Sequence, residues 1–226
     1  MTSVANTVVR AWEQAQEMAA WQRPAALLAA LSSVPLSETM KLGVARRDAA
    51  LLAWRATLFG ANWLAFAQCP RCEAILEYEL PVGSEAFAAP PDEMEIEANG
   101  KPWLVRWPNS RDLADAAACQ DRASARALLL GRIVAGEVED PCVTPILAAL
   151  GTAHRACWTM TLHCCACPHS WEVVFDAGEF LWREVRAAAR RILREVDILA
   201  RLYHWSEGDI LAMSEVRRTR YLEMAQ

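Results

Sequence analysis

Glycine is scarce in this sequence: nine among 226 residues. No G-x-G-x-x-G and no phosphate-binding glycine loop occurs, so nothing supports a nucleotide site built on close backbone approach. G-x-S-x-G and H-E-x-x-H are missing too, which removes common serine-hydrolase and zinc-protease signatures. Only four histidines are present, and His154 and His204 stand alone. An enzyme is therefore not expected. Long apolar runs are absent as well; no stretch approaches eighteen apolar residues without a charge, so no membrane span is expected. The opening MTSVANTVVRAWEQ has no basic region followed by an apolar run, and no secretory leader is expected. An excess of positive charge is also lacking, with a net charge of -5 and a pI near 5.5. That balance weighs against a general affinity for nucleic acid, which rests on phosphate neutralisation.

What is present points to a folded, metal-fastened chain. Hydrophobic residues make up 54% and charged residues 23%, enough to bury a core in one domain or one domain with lobes, and unlike a disordered segment. Ten tryptophans fit a Trp-rich core, the common fate of large aromatics, with service as interface anchors as the alternative. Among the eight cysteines, two pairs are spaced C-x-x-C, which reads as reduced thiols with some on metal rather than as a disulfide framework.

The period of the apolar residues divides the chain. Val4, Val8, Ala11, Trp12, Ala15 and Ala19 recur at helical spacing, and Pro24 suits the first turn of a helix carrying Leu27, Leu28 and Leu31. The spacing predicts a loop over 32–41, a helix over 46–59 stopped by Gly60, and a short helix over 62–67. After Cys72 the period becomes two, giving a strand from Ile75 to Leu80. A hairpin is expected around Asn99-Gly100, with Met94, Ile96 and Ala98 on one strand and Trp103, Val105 and Trp107 on the other. Helices over 111–134 and 144–153 follow, then strands over 158–162 and 171–175. A long helix runs to Tyr203 with Leu181, Val185, Ala188, Ile192, Val196 and Leu199 as its apolar stripe. Ser206 and Ser214 are expected to cap two short terminal helices.

The cysteines carry the chemistry. Thiolates at C-x-x-C spacing grip one zinc ion from a tight turn, and two such turns close a tetrahedral site. Cys69 and Cys72 form one turn, Cys164 and Cys167 the other, and each is followed by an alternating strand. Knuckle plus strand, twice, is the zinc-ribbon layout, with one structural zinc ion and no open coordination position. Glycine after the second cysteine, which ribbons often use to permit positive φ, is replaced by Glu73 and Pro168. Cys165, His163 and His169 crowd the second knuckle as alternative ligands. Redox chemistry is the competing reading, but no motif cysteine opens a helix. Cys119, Cys142 and Cys157 read as small buried apolar residues.

The fold class expected is α+β: mostly helical, with a zinc-ribbon-like small antiparallel sheet carrying a large insertion between its knuckles. The regions are 1–68, N-terminal and helical; 69–80 with 156–176, the ribbon-like core; 81–155, the insertion; and 177–226, C-terminal and helical.

An order of motifs goes further. Ala11-Trp12-Glu13 is followed by Arg46-Arg47-Asp48, then Leu58-Phe59-Gly60 and Cys69-Pro70-Arg71-Cys72. Later come Cys164-Cys165-Ala166-Cys167 with His169 and Trp171, Phe180-Leu181-Trp182, and Leu193-Arg194-Glu195-Val196. The tail holds Trp205-Ser206-Glu207, Ile210-Leu211, Arg217-Arg218 and Tyr221-Leu222. This order resembles the baseplate hub assembly proteins, or chaperones, of T-even-type contractile phages and their relatives in contractile injection systems. The resemblance spans nearly the whole chain and is loosest over 81–156. It implies a non-enzymatic assembly factor or minor component of a baseplate hub, with hub or baseplate proteins as partners. It also implies a place in the cytoplasm of the bacterial host during assembly, retention in the finished particle being left open. No membrane partner is expected; a zinc-ribbon nucleic-acid-binding protein is the alternative. Arg183, Arg186, Arg190, Arg194 and Arg201 lie largely off the apolar stripe, and all but Arg201 stand with Trp205 as the candidate partner-binding residues. Trp103, Trp107, Trp171 and Trp182 could add anchors.

Overall fold

The computed structural model describes residues 3–224. Among them the helices are α1 (Val4–Gln16), α2 (Arg23–Ser32), α3 (Leu36–Thr39), α4 (Val44–Phe59), α5 (Ser110–Ala117), α6 (Arg122–Ile133), α7 (Asp140–Ala153), α8 (Ala177–Tyr203), α9 (Glu207–Ala212) and α10 (Glu215–Met224). The strands are β1 (Leu64–Gln68), β2 (Ile75–Glu79), β3 (Glu93–Ala98), β4 (Lys101–Arg106), β5 (Cys157–His163) and β6 (Ser170–Asp176), paired as three separate two-stranded antiparallel sheets. The class is α+β and mostly helical. The chain divides into two compact units, Met1–Thr39 with Gly178–Gln226, and Met40–Ala177. The N- and C-terminal helices thus share a unit that the order of regions along the chain does not reveal.

The unit built from both chain ends is all-helical. Ser3 caps α1 by accepting from Asn6 N at 3.2 Å, and its hydroxyl donates to the Leu211 carbonyl. Val8, Ala11 and Ala15 of α1, Leu27, Leu28 and Leu31 of α2, and Leu181, Val185, Ile192 and Leu199 of α8 are buried. The helical period alone places these residues on one face of each element. Ala189 rather than Ala188 completes the α8 stripe. Arg218, 3% exposed, donates to Glu195 at 2.6 Å and to the Met213 carbonyl at 3.3 Å. The serine caps also form: Asp209 N donates to Ser206 Oγ at 3.2 Å and Arg217 N to Ser214 Oγ at 3.3 Å.

The other unit packs the β3–β4 hairpin with α4, α6 and α7 around Ile96, Val105, Trp107, Ile133, Val143 and Ile146. Asn99 and Gly100 take φ of 55° and 70°, the left-handed pair that a two-residue hairpin turn needs. Gly43 bridges to Asn109, and a Cβ there would lie 2.7 Å from the Trp107 Cβ, so only glycine permits this approach.

Further expectations are corrected. The loop over 32–41 contains α3, because the Pro35 carbonyl accepts from Glu38 N and Thr39 N at 2.9 and 3.1 Å, and the buried Thr39 hydroxyl donates to Ala25 O. The helix over 62–67 is instead β1, in register with β2 from Leu64↔Glu79 to Gln68↔Ile75. So short a segment cannot nucleate a helix by itself, and cross-strand pairing decides its state. The single helix over 111–134 is two, because Asp121 caps α6 by accepting from Ser124 N at 2.8 Å. Trp107 and Trp182, proposed as anchors, are core residues, each 4% exposed.

Candidate metal centre

Two hairpins of the Met40–Ala177 unit present the motif cysteines at their tips. β1 and β2 flank the first knuckle, where Cys69 N donates to Ala74 O and Glu73 N donates to Cys69 O, both at 2.9 Å. The second knuckle joins β5 to β6, whose register runs from Cys157↔Asp176 to His163↔Ser170. There Cys164 N donates to His169 O at 2.9 Å. Each turn folds the backbone so that two sulfurs point the same way. In the first, Glu73 adopts the left-handed φ of 61° that glycine would supply.

The four sulfurs converge although the knuckles are far apart in sequence. Cys69 Sγ lies 3.8 Å from Cys167 Sγ, and Cys72 Sγ 3.5 Å from Cys164 Sγ. All four lie within 4.8 Å of one another. A tetrahedron with metal–sulfur bonds of about 2.3 Å has edges of about 3.8 Å, so the donor set fits a single ion without rearrangement of the fold. None of the eight cysteines is in a disulfide.

The chain matches no family model, no curated protein and no solved structure.

The cluster's electrostatics suit metal capture. Ala166 N donates to Cys164 Sγ at 3.3 Å. This hydrogen bond leads the effects that bring the Cys164 thiol down to about 6. The Ala74 backbone favours the Cys72 thiolate, but the hydrogen bonds shared with Cys164 and Cys167 outweigh it and push Cys72 up to about 12. Cys164 is thus biased towards the thiolate, the form in which a cysteine binds a metal ion.

The rival ligands stay outside the cluster. Cys165 is exposed, and His169 stacks on Trp171 with ring centroids 5.8 Å apart. His163 ends β5 opposite Ser170. Of the arginines named from sequence, Arg183 pairs with Glu179 and Arg201 with Asp197, each at 2.9 Å. Arg186, Arg190 and Arg194 are exposed. Trp205 is half-buried, stacked on Tyr203 at 4.5 Å and edge-on to Tyr221.

Sequence reasoning missed one constellation. Asp48, 2% exposed, accepts from Arg47 Nε at 2.7 Å and lies 3.2 Å from His154 Nε2, while Arg47 also donates to the buried Ser110 hydroxyl at 3.1 Å. Burial alone would raise the Asp48 carboxyl; Arg47 and His154 outweigh it and hold the carboxyl below its usual range. No local spacing signals this grouping, because His154 arrives from a distant helix end. The same unit has a cavity of about 600 Å³ lined mainly by alanines, Pro90, Pro91, Met94 and Trp107, with Thr152 and Arg155 as its polar lining residues. Burial, with the Asp176 and Asp48 carboxylates adding to it, pushes the Cys157 thiol up to about 11, which keeps it protonated near neutral pH. Among the described residues no helix is long and apolar enough to cross a membrane.

Proposed function

We propose that this protein is a non-enzymatic assembly factor, or a minor structural component, of the baseplate hub of a contractile phage tail or related injection system, fastened by one structural zinc. The observation that carries the reading is how the motif residues meet in space. The four motif cysteines form one cluster, Arg47 pairs with Asp48, His169 stacks on Trp171, and Glu195 pairs with Arg218. Several residues that carry the resemblance in sequence thus contact one another in the fold.

The chemistry agrees with a binding role. Four thiolates saturate a tetrahedral zinc and leave no position for water or substrate. The protonated Cys157 and the alanine-lined cavity supply no activated nucleophile. Zinc fits better than a redox metal in a site whose contribution is to folding. Elemental analysis of purified protein tests the metal, with one zinc per chain expected; iron, or no metal, would sink this part. Co-expression with the hub, tube and spike proteins of a contractile tail tests the role. A stable complex with a hub protein is expected, and failure to bind any of them would overturn it.

The nucleic-acid reading fares worse on charge. The unit that bears the ribbon holds twelve Lys and Arg against seventeen Asp and Glu, so the whole net charge of -5 resides there. Phosphate contacts need the opposite balance. Salt-sensitive retardation of DNA or RNA in a gel would reverse this ranking.

A further inference from the structure

Two rows of charge lie unpaired on this chain, one of each sign. On α8, Arg186, Arg190 and Arg194 recur every four residues, which sets them along one side of the helix about 6 Å apart. That side faces away from the buried stripe of Leu181, Val185, Ile192 and Leu199. The carboxylates that could quench the row are engaged elsewhere: Glu179 with Arg183, Asp197 with Arg201, Glu195 with Arg218, Glu215 with Arg191. Among the described residues the three arginines have no carboxylate partner.

On β3, Glu93, Glu95 and Glu97 recur every two residues, exposed on one face of the hairpin while Ile96 and Ala98 face the core. Strand geometry spaces them about 6.8 Å apart. Arg106, in register opposite Glu93, is taken by Asp112 at 2.7 Å, and Lys101 lies 3.5 Å from Glu139. These glutamates have no cationic partner among the described residues.

Three positive charges over about 12 Å and three negative charges over about 13.6 Å match in number and pitch, within the reach of arginine side chains. We infer that Arg186, Arg190 and Arg194 of one molecule pair with Glu93, Glu95 and Glu97 of a second copy, joining chains head to tail. The two patches differ, so the contact is heterologous and each added copy presents a fresh row to the next. Arginine serves this contact better than lysine would, because its fork binds a carboxylate through two parallel hydrogen bonds. Exposed pairs are individually weak and screened by salt, so the association is weak, reversible and strongest at low ionic strength. This inference does not rest on the baseplate reading; it needs only the purified chain.

Sedimentation velocity on the metal-loaded full chain tests it. Mass is expected to rise with concentration at roughly 0.05 M salt and to return to monomer at roughly 0.5 M. One variant carries Arg186→Glu, Arg190→Glu and Arg194→Glu; the other carries Glu93→Arg, Glu95→Arg and Glu97→Arg. Each alone should weaken association at least about tenfold. Mixing the two should restore it, because each reversed row then meets a complementary one. All six positions are exposed, and an unchanged thermal midpoint checks each variant. The wild-type salt series needs no variant and overturns the inference if the chain stays monomeric throughout. A salt-dependent change of shape at constant monomer mass would also overturn it, as would a variant that associates like the wild type or a mixture that fails to associate.

Discussion

Each of the two units of this protein is stabilised internally by different means. The helical unit, Met1–Thr39 with Gly178–Gln226, buries continuous apolar stripes from long helices, and its core follows from the helical period. The Met40–Ala177 unit contains three hairpins of two strands each, a size that is marginal in water. It needs fasteners: a four-cysteine cluster across two hairpins, the Arg47–Asp48–His154 group, and the close approach at Gly43. The contrast shows where single residues carry the structure and where many small contributions share it.

Metal removal should separate the units most sharply. Structural zinc sites contribute about 10–16 kcal/mol of apparent binding free energy, comparable with the whole stability of a domain at about 5–15 kcal/mol. Chelation, or Cys164→Ser, is expected to abolish amide protection in β1, β2, β5 and β6 while α8 keeps its own. Hydrogen exchange reads this directly, and equal loss in α8 would erase the contrast. Asp48→Ala comes next, at about 3–5 kcal/mol in denaturant unfolding, because it leaves Arg47 buried without its carboxylate. Glu195→Ala in the helical unit should cost a similar amount, about 3–5 kcal/mol, since it leaves the buried Arg218 without its carboxylate.

Acid should act on the same contrast. Asp48 and Asp112 are both held below the usual carboxylate range, Asp112 because hydrogen bonds led by that of Arg106 outweigh its burial. A depressed folded value means that stability is fully present above the unfolded value, near 3.9, and is lost as pH falls through the folded one. Asp112→Asn is expected to flatten part of this acid dependence in pH-resolved thermal melts; an unchanged profile would exclude Asp112 as a source. Gly43→Ala should destabilise by about 1–3 kcal/mol through its clash with Trp107. The smallest expected effect has the opposite sign. Glu73→Gly should stabilise the chain by about 1 kcal/mol by relieving a left-handed backbone, read from the denaturation midpoint.

Legibility followed the same divide. The stripes of α1, α2 and α8, the Asn99-Gly100 turn and the serine caps were readable, because each is set by residues within a few positions of one another. Cys69, Cys72, Cys164 and Cys167 were readable too, since ligand chemistry fixes C-x-x-C spacing within each knuckle. β1 was misread as helix because its state depends on β2, and the break before α6 was missed because Asp121 competes locally with a helical pattern. The grouping of Asp48 with His154 left no trace in spacing.

Residue order alone was enough for the helical faces, the turn chemistry and the candidate cysteine ligands, for these follow from backbone periods and ligand preference over short range. Three-dimensional packing settled which four sulfurs meet, which tryptophans are core, and which charges among the described residues lack a partner. Those outcomes depend on contacts between residues distant along the chain, where the loop-closing entropy is met by packing and long-range pairing rather than by local propensity.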